Sequence, residues 1–200
     1  AKKHQLEARQ DEAGNVLITK PATPGKEQTP GVVLQAHMDM VCEKNADTVH
    51  DFDKDPIKPY IDGEWVKAKG TTLGADDGIG IAAALAVLTD ENIQHGPLEC
   101  LFTVDEETGL TGAFALQPGF FQGKILLNLD SEDEGEIFIG CAGGIDTVIR
   151  LPYRKMVLPA HKFAVQVKVK GLQGGHSGDD INKGRRNAIK ILNRFLWDLN

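Results

Sequence analysis

Two hundred residues with 41% hydrophobic side chains are enough to bury a core, in one domain or two small ones. A formal net charge of −7 without a basic stripe argues against a nucleic acid or a membrane surface as partner, and no apolar run reaches the ~18 residues of a membrane-spanning helix. The three cysteines, Cys42, Cys100 and Cys141, are odd in number and show no CxxC spacing, so they read as small buried residues of a reducing cytosol rather than as disulfides or thiolate ligands.

In chain order, Ala1 leads straight into a charged stretch without a Met, and Asn200 falls inside a helical pattern, so a piece of a longer polypeptide is expected. Residues 15–20 (NVLITK) predict a short strand after a turn at Gly14. A loop rich in Pro, Thr and Gly follows, and then VVLQAHMDMV, residues 32–41, an almost continuous apolar run suited to a buried strand of an α/β sheet. His37 and Asp39 stand near its end, two residues apart and so on one face. The plainer reading of His37 is a satisfied core histidine beside an acid. Residues 58–67 predict a β-hairpin with Asp62-Gly63 as a type I′ turn.

Residues 70–85, GTTLGADDGIGIAAAL, place Asp76 and Asp77 just before an alanine-rich helix running to about Leu88. A carboxylate there is favoured as an N-cap, which explains one aspartate; the second is free to hold a cation. The run Gly78-Ile79-Gly80-Ile81-Ala82-Ala83 also matches a dinucleotide fingerprint, but no apolar strand leads into it and two carboxylates would repel a pyrophosphate. A second strand, 98–104, ends at Asp105-Glu106-Glu107-Thr108-Gly109. A short helix is predicted around 112–116, and a third strand, 124–130, ends on Asp130. Beyond Gly144 the pattern changes. Residues 163–170 alternate strictly, as for a strand with one wet face; a glycine-rich loop carries His176; and Ala188, Ile191, Leu192, Phe195, Leu196 and Leu199 form one stripe of a final helix. The chain therefore divides, on this reading, into residues 1–143 and 144–200.

Three apolar strands thus each finish in groups able to bind a metal, and ligands of open α/β sheets bind beyond the carboxyl ends of the strands. All candidate donors are nitrogen or oxygen, a set suited to Zn²⁺, Co²⁺ or Mn²⁺. One imidazole and several carboxylates exceed the needs of one ion. Two ions about 3.5–4 Å apart, bridged by a carboxylate and supplying hydroxide near neutral pH, are an arrangement used for hydrolysis. Of the adjacent glutamates, one can ligate while the other serves as general base, and Asp39 can fix the orientation and tautomer of the His37 ring.

The motifs His37-Met38-Asp39, Gly74-Ala75-Asp76-Asp77-Gly78, Asp105-Glu106-Glu107-Thr108-Gly109, Asn128-Leu129-Asp130 and Gly174-Gly175-His176-Ser177 resemble, in order and spacing, the cocatalytic di-zinc metallopeptidases that include aminoacylases, tripeptidases and carnosinases. The resemblance implies an α/β fold, a di-zinc exopeptidase-type mixed sheet flanked by helices, with the start of a smaller α+β lid domain. It implies two divalent metal ions, zinc first with cobalt or manganese as alternatives, held by His37, Asp76, Glu107 and Asp130. Asp76 would bridge the ions with its carboxylate, its peptide bond to Asp77 is cis in the family, Glu106 would be the general base, and His176 would help bind substrate or the oxyanion. An aspartate at position 130 is similar to the peptidase branch rather than the aminoacylases. The expected function is hydrolysis of dipeptides, of the Xaa-His, carnosine-like class, by a cytoplasmic enzyme that pairs through its lid. A deacylase of N-acyl amino acids and a non-catalytic binding protein on the same fold are the alternatives. Family members take a last histidine ligand from a later segment, which implies that these 200 residues alone are inactive.

Overall fold

The computed structural model describes residues 1–131 and, beyond them, all but 132, 142, 144, 146, 158, 176–179, 181 and 200. By its internal contacts the chain divides into two compact units, Ala1–Gly135 and Glu136–Asn200.

The first unit is built on a five-stranded mixed sheet in the order β1-β2-β6-β3-β7. Its strands are β1 (Glu7–Gln10), β2 (Val16–Lys20), β3 (Val32–His37), β6 (Leu98–Thr103) and β7 (Ile125–Asn128); β4 (Pro59–Asp62) and β5 (Trp65–Ala68) form a separate hairpin. β1 pairs antiparallel with β2, and β2 with β6, whereas β3 runs parallel to both β6 and β7. The expected strands in this unit are all present, and β1 is an additional edge strand whose exposed EARQ sequence carries no apolar alternation to announce it.

Side chains alternate across the sheet and divide the core in two. On one face Ile18, Leu34, Ala36, Cys100 and Phe102 pack against Ala84 and Leu88 of helix α1 (Ala75–Thr89). On the other face Leu17, Val33 and Leu101 pack against Leu116, Phe120 and Phe121, next to the short helix α2 (Thr111–Ala115). β3 and β6 are the most enclosed strands because both of their faces are covered, which is why they read as apolar runs.

The hairpin forms where expected, but its turn differs. Asp62 pairs with Trp65, so the loop is Gly63-Glu64, and only Gly63 has positive φ (63°). A type I′ turn needs positive φ at both central residues; glycine at the first alone is the II′ pattern. The Asp62-Gly63 pair marks the turn, but shifted by one residue.

In the second unit, helix α3 (Ala188–Asp198) is capped by the Asn187 side chain, which accepts from the Lys190 N–H at 3.1 Å. The strand expected over 163–170 is not formed: among the described residues of this unit no partner strand offers it a ladder, and Phe163 and Val165 stay exposed.

Candidate metal centre

Because β6, β3 and β7 run parallel, their carboxyl ends open on the same edge of the sheet, and the acidic loops that follow them gather there. His37 is the last residue of β3 and only 2% exposed. Its Nδ1 lies 3.0 Å from the Asp39 carbonyl oxygen, an acceptor that assigns the proton to Nδ1 and leaves Nε2 facing the carboxylates. Nε2 is 2.9 Å from Asp76 Oδ1 and 3.8 Å from Asp130 Oδ1.

The two adjacent aspartates have separate duties. Gly74 takes φ 78°, Asp76 and Asp77 have non-helical dihedrals, and the peptide bond between them is cis. Regular helix starts at Gly78, so Asp77 is in effect the N-cap. One carboxylate oxygen accepts from the Gly80 N–H at 3.0 Å, and the other accepts from the His37 N–H at 3.2 Å. Asp77 thereby ties the start of α1 to the end of β3, and Asp76 is turned toward the imidazole. Glycine at 80 is a steric requirement, since a Cβ there would lie 2.2 Å from Asp77 Oδ1. Of the two glycines that imitate a nucleotide fingerprint, Gly80 serves this cap, and a Cβ at Gly78 would meet nothing.

After β6, the Asp105–Glu107 turn is held by Asp39, whose two carboxylate oxygens each accept one N–H, from Glu106 and from Glu107, both at 3.1 Å. The sequence reading gave Asp39 the task of orienting His37. Its carbonyl does so, and its carboxylate, 3.5 Å from Nδ1, chiefly fixes the glutamate turn. After β7, the Asp130 N–H donates to Asn128 Oδ1, and Asn128 in turn donates to Gln35 of β3 at 2.7 Å.

Two sets of donors result. One oxygen or nitrogen each from His37, Asp76 and Asp130, and likewise from His37, Glu106 and Glu107, lie within 4.8 Å of one another. Two donors each ~2 Å from a shared ion stand roughly 3 Å apart, so the His37–Asp76 separation fits common ligation. The proton equilibria record the crowding. Burial, then the hydrogen bond and charge of Asp76, push Asp130 up to about 7. Burial, then the charges of Asp76 and Glu106, raise Glu107. Burial also raises Asp77, despite the N–H groups that favour its anion. For His37, burial opposes the charged form, but the hydrogen bond to Asp76 and the charges of Asp130, Asp76 and Asp39 outweigh it, and its pKa is raised. Of these clustered groups Asp39 alone is lowered: burial works against it, and the N–H groups of Glu106 and Glu107 prevail. So many acids packed around one imidazole fit a cation, and an all-N/O donor set fits a zinc-like ion. Of the residues singled out in the sequence, His37, Asp39, Asp76, Glu106, Glu107 and Asp130 come together here; His176 lies outside the described residues.

Residues 33–172 match peptidase family M20/M25/M40. The chain belongs to this family. Among curated proteins, this M20 chain is 59% identical over 196 residues to the cytosol non-specific dipeptidase of Escherichia coli, a match covering 98% of the chain and 40% of the relative. The solved aminoacylhistidine dipeptidase from Vibrio alginolyticus superposes with a TM-score of 0.70 at 54% identity, over 98% of this chain and 40% of that one. The aminopeptidase PepT from Bacillus cereus gives a TM-score of 0.55 at 32% identity, over 66% of this chain and 35% of that one. The M20 chain thus spans about two-fifths of the length of the relatives that match it end to end. The stretches LQAHMDMVCEKN, GTTLGADDGIGIAAAL and LNLDSEDEGEIFIGCAGG, which look like bacterial aminoacyl-histidine dipeptidase (peptidase D), point to the same relatives.

Proposed function

We propose that the complete protein is a metal-dependent dipeptidase that cleaves short peptides of the Xaa-His, carnosine-like class. The observation that carries this is the placing of His37 within ligand range of both an Asp76–Asp130 pair and a Glu106–Glu107 pair. Two divalent ions, zinc first with cobalt or manganese as alternatives, would be held by His37, Asp76 and Asp130 on one side and by Asp76 and Glu107 on the other. When bound, they would polarise the scissile carbonyl and make water acidic near neutral pH. Glu106, backed by the Asp39-held turn, takes a proton from the attacking water and returns it to the leaving amine. Asp39 keeps the His37 proton on Nδ1 through its carbonyl. His176 would meet the substrate or the developing oxyanion. The names of the relatives, a cytosol non-specific dipeptidase and an aminoacylhistidine dipeptidase, support a dipeptide substrate and a cytosolic setting. Pairing of two copies through the smaller domain completes the proposal.

Replacing Glu106 by Gln in the complete protein tests the assignment. Turnover of carnosine should fall by about 10²–10⁴-fold while bound metal is retained, because only proton transfer is removed. Normal turnover would refute the role of Glu106. Release of acetate from N-acetyl amino acids in preference to histidine from carnosine would refute the substrate class.

A further inference from the structure

Away from the carboxylates, a second set of contacts governs where Glu106 and Glu107 sit. The segment 104–112 leaves β6 and enters α2 as a closed loop, because the Gly112 N–H donates to the Val104 carbonyl at 3.2 Å. Asn15, 0% exposed, lies across that neck. Its Oδ1 accepts from the Val104 N–H at 3.1 Å, and its Nδ2 donates to the Gly112 carbonyl at 2.8 Å. Asp11 takes the other Nδ2 hydrogen at 2.7 Å and also accepts the Gly14 and Asn15 N–H groups, which fixes the amide plane. An amide accepts from one strand of the neck while giving one hydrogen to the other and one to Asp11; a hydroxyl has a single hydrogen to give, a carboxylate loses the donors and an aliphatic side chain loses both. No side chain fits at 112, where a Cβ would lie 2.3 Å from the Val104 carbonyl oxygen and 2.6 Å from Asn15 Oδ1. The loop is therefore clasped twice, by Asn15 at its neck and by Asp39 at its crest.

We propose that Asn15 is a positioning residue for the Glu106–Glu107 turn, holding the neck at Val104 and Gly112 so that the Glu106 carboxylate stays in register with the His37–Asp76–Asp130 group. Its effect on turnover rests on the reading of Glu106 as general base. Asn15 has no hydrogen bond to any of those groups, so it acts through the loop alone.

The test uses the complete, metal-loaded protein. Asn15→Ala and Gly112→Ala, which open the same neck from opposite sides, should each lower kcat by roughly ten- to a hundredfold, as small misplacements of a reacting group do. KM should stay within about threefold, and the ion that His37, Asp76 and Asp130 would hold should be retained, whereas the one that Glu107 would help hold should bind more weakly. Amide exchange should quicken in residues 104–112 and not in β3. Combined with Glu106→Gln, Asn15→Ala should cost several-fold less than it does alone, because the base it places is gone and only Glu107 is left to misplace. A folded Asn15→Ala protein with wild-type kcat and unaltered exchange over 104–112 would overturn the proposal, as would an undiminished loss in the Glu106→Gln background. If Asn15→Ala does not fold, Asn15→Ser, which shortens the side chain to a single uncharged hydroxyl beside Asp11, takes its place with the same expectations. The exchange measurement stands apart from the chemistry: Glu106→Gln with full turnover refutes the base and with it the catalytic half of the proposal, whereas quickened exchange still assigns the clasp to Asn15.

Discussion

Asp130 bears the sharpest consequence of crowding acids around one imidazole: burial and Asp76 hold its proton on until about pH 7. To ligate, it must release that proton, and so must His37, which is also raised. Both groups bind protons more firmly in the metal-free fold, so zinc affinity should fall as pH drops below about 7, with more protons released per ion bound at pH 6 than at pH 8. Calorimetric titration in two buffers of different ionisation enthalpy measures this directly, and a pH-independent affinity would contradict it. The same shift has a stability sign. The contribution of Asp130 is fully present below its ordinary value of 3.8 and is lost as pH rises through about 7, so it makes the metal-free protein melt lower at pH 8 than at pH 5. At the opposite face of the problem, burial pushes the Cys100 thiol up to about 12. The expectation of buried cysteines holds for Cys100 and fails for Cys42 and Cys141, which are exposed, so a disulfide reagent at neutral pH should titrate those two quickly and reach Cys100 only on unfolding; three fast thiols would show that the α1 face of the core is open.

The join between β3 and α1 shows most clearly what a helix start can do for a site. One side chain, Asp77, both caps the helix and holds the backbone of His37, and Gly80 leaves room for it. Gly80→Ala should therefore cost more than the loss of an N-cap, which is typically about 1 kcal/mol, and should also weaken zinc binding by displacing His37; thermal melting and metal titration of the same sample check both. A variant as stable as the parent would contradict this. At this scale the sequence was legible where a pattern has a period or a punctuating residue: the apolar strands, the alanine-rich helix and the hairpin. The residue pattern by itself did not distinguish Asp76 from Asp77, since adjacent acids differ only by which one the helix takes as its cap; the assignment to Asp76 came from the family resemblance alone. Nor did it announce Asn15, whose partners at Val104 and Gly112 lie far along the chain and leave no local mark. The 163–170 stretch alternates as a strand should, but a strand exists only beside another, and no local pattern supplies the neighbour.

Across the first unit, the sheet does one thing for chemistry: parallel pairing of β6, β3 and β7 brings three loop-borne groups of donors to one edge. That edge depends on the core beneath it. Leu101, 1% exposed between Leu17 and Val33, anchors β6 from the face opposite α1. Leu101→Ala should destabilise by about 2–5 kcal/mol in denaturant unfolding, with the metal affinity of the folded fraction nearly unchanged, because no donor rests on that side chain. The convergence of the acids was readable from three strands ending in the same chemistry, and the relatives that match 98% of this chain are more than twice as long. Crystals of the complete protein soaked in zinc and measured at the zinc absorption edge provide the most direct test. The expected map has anomalous density about 2.0–2.2 Å from His37 Nε2 and from carboxylate oxygens of Asp76 and Asp130, with a second peak at Glu107. No density there, with His37 Nε2 still hydrogen-bonded to Asp76 and zinc bound elsewhere, would contradict a metal centre at the end of β3.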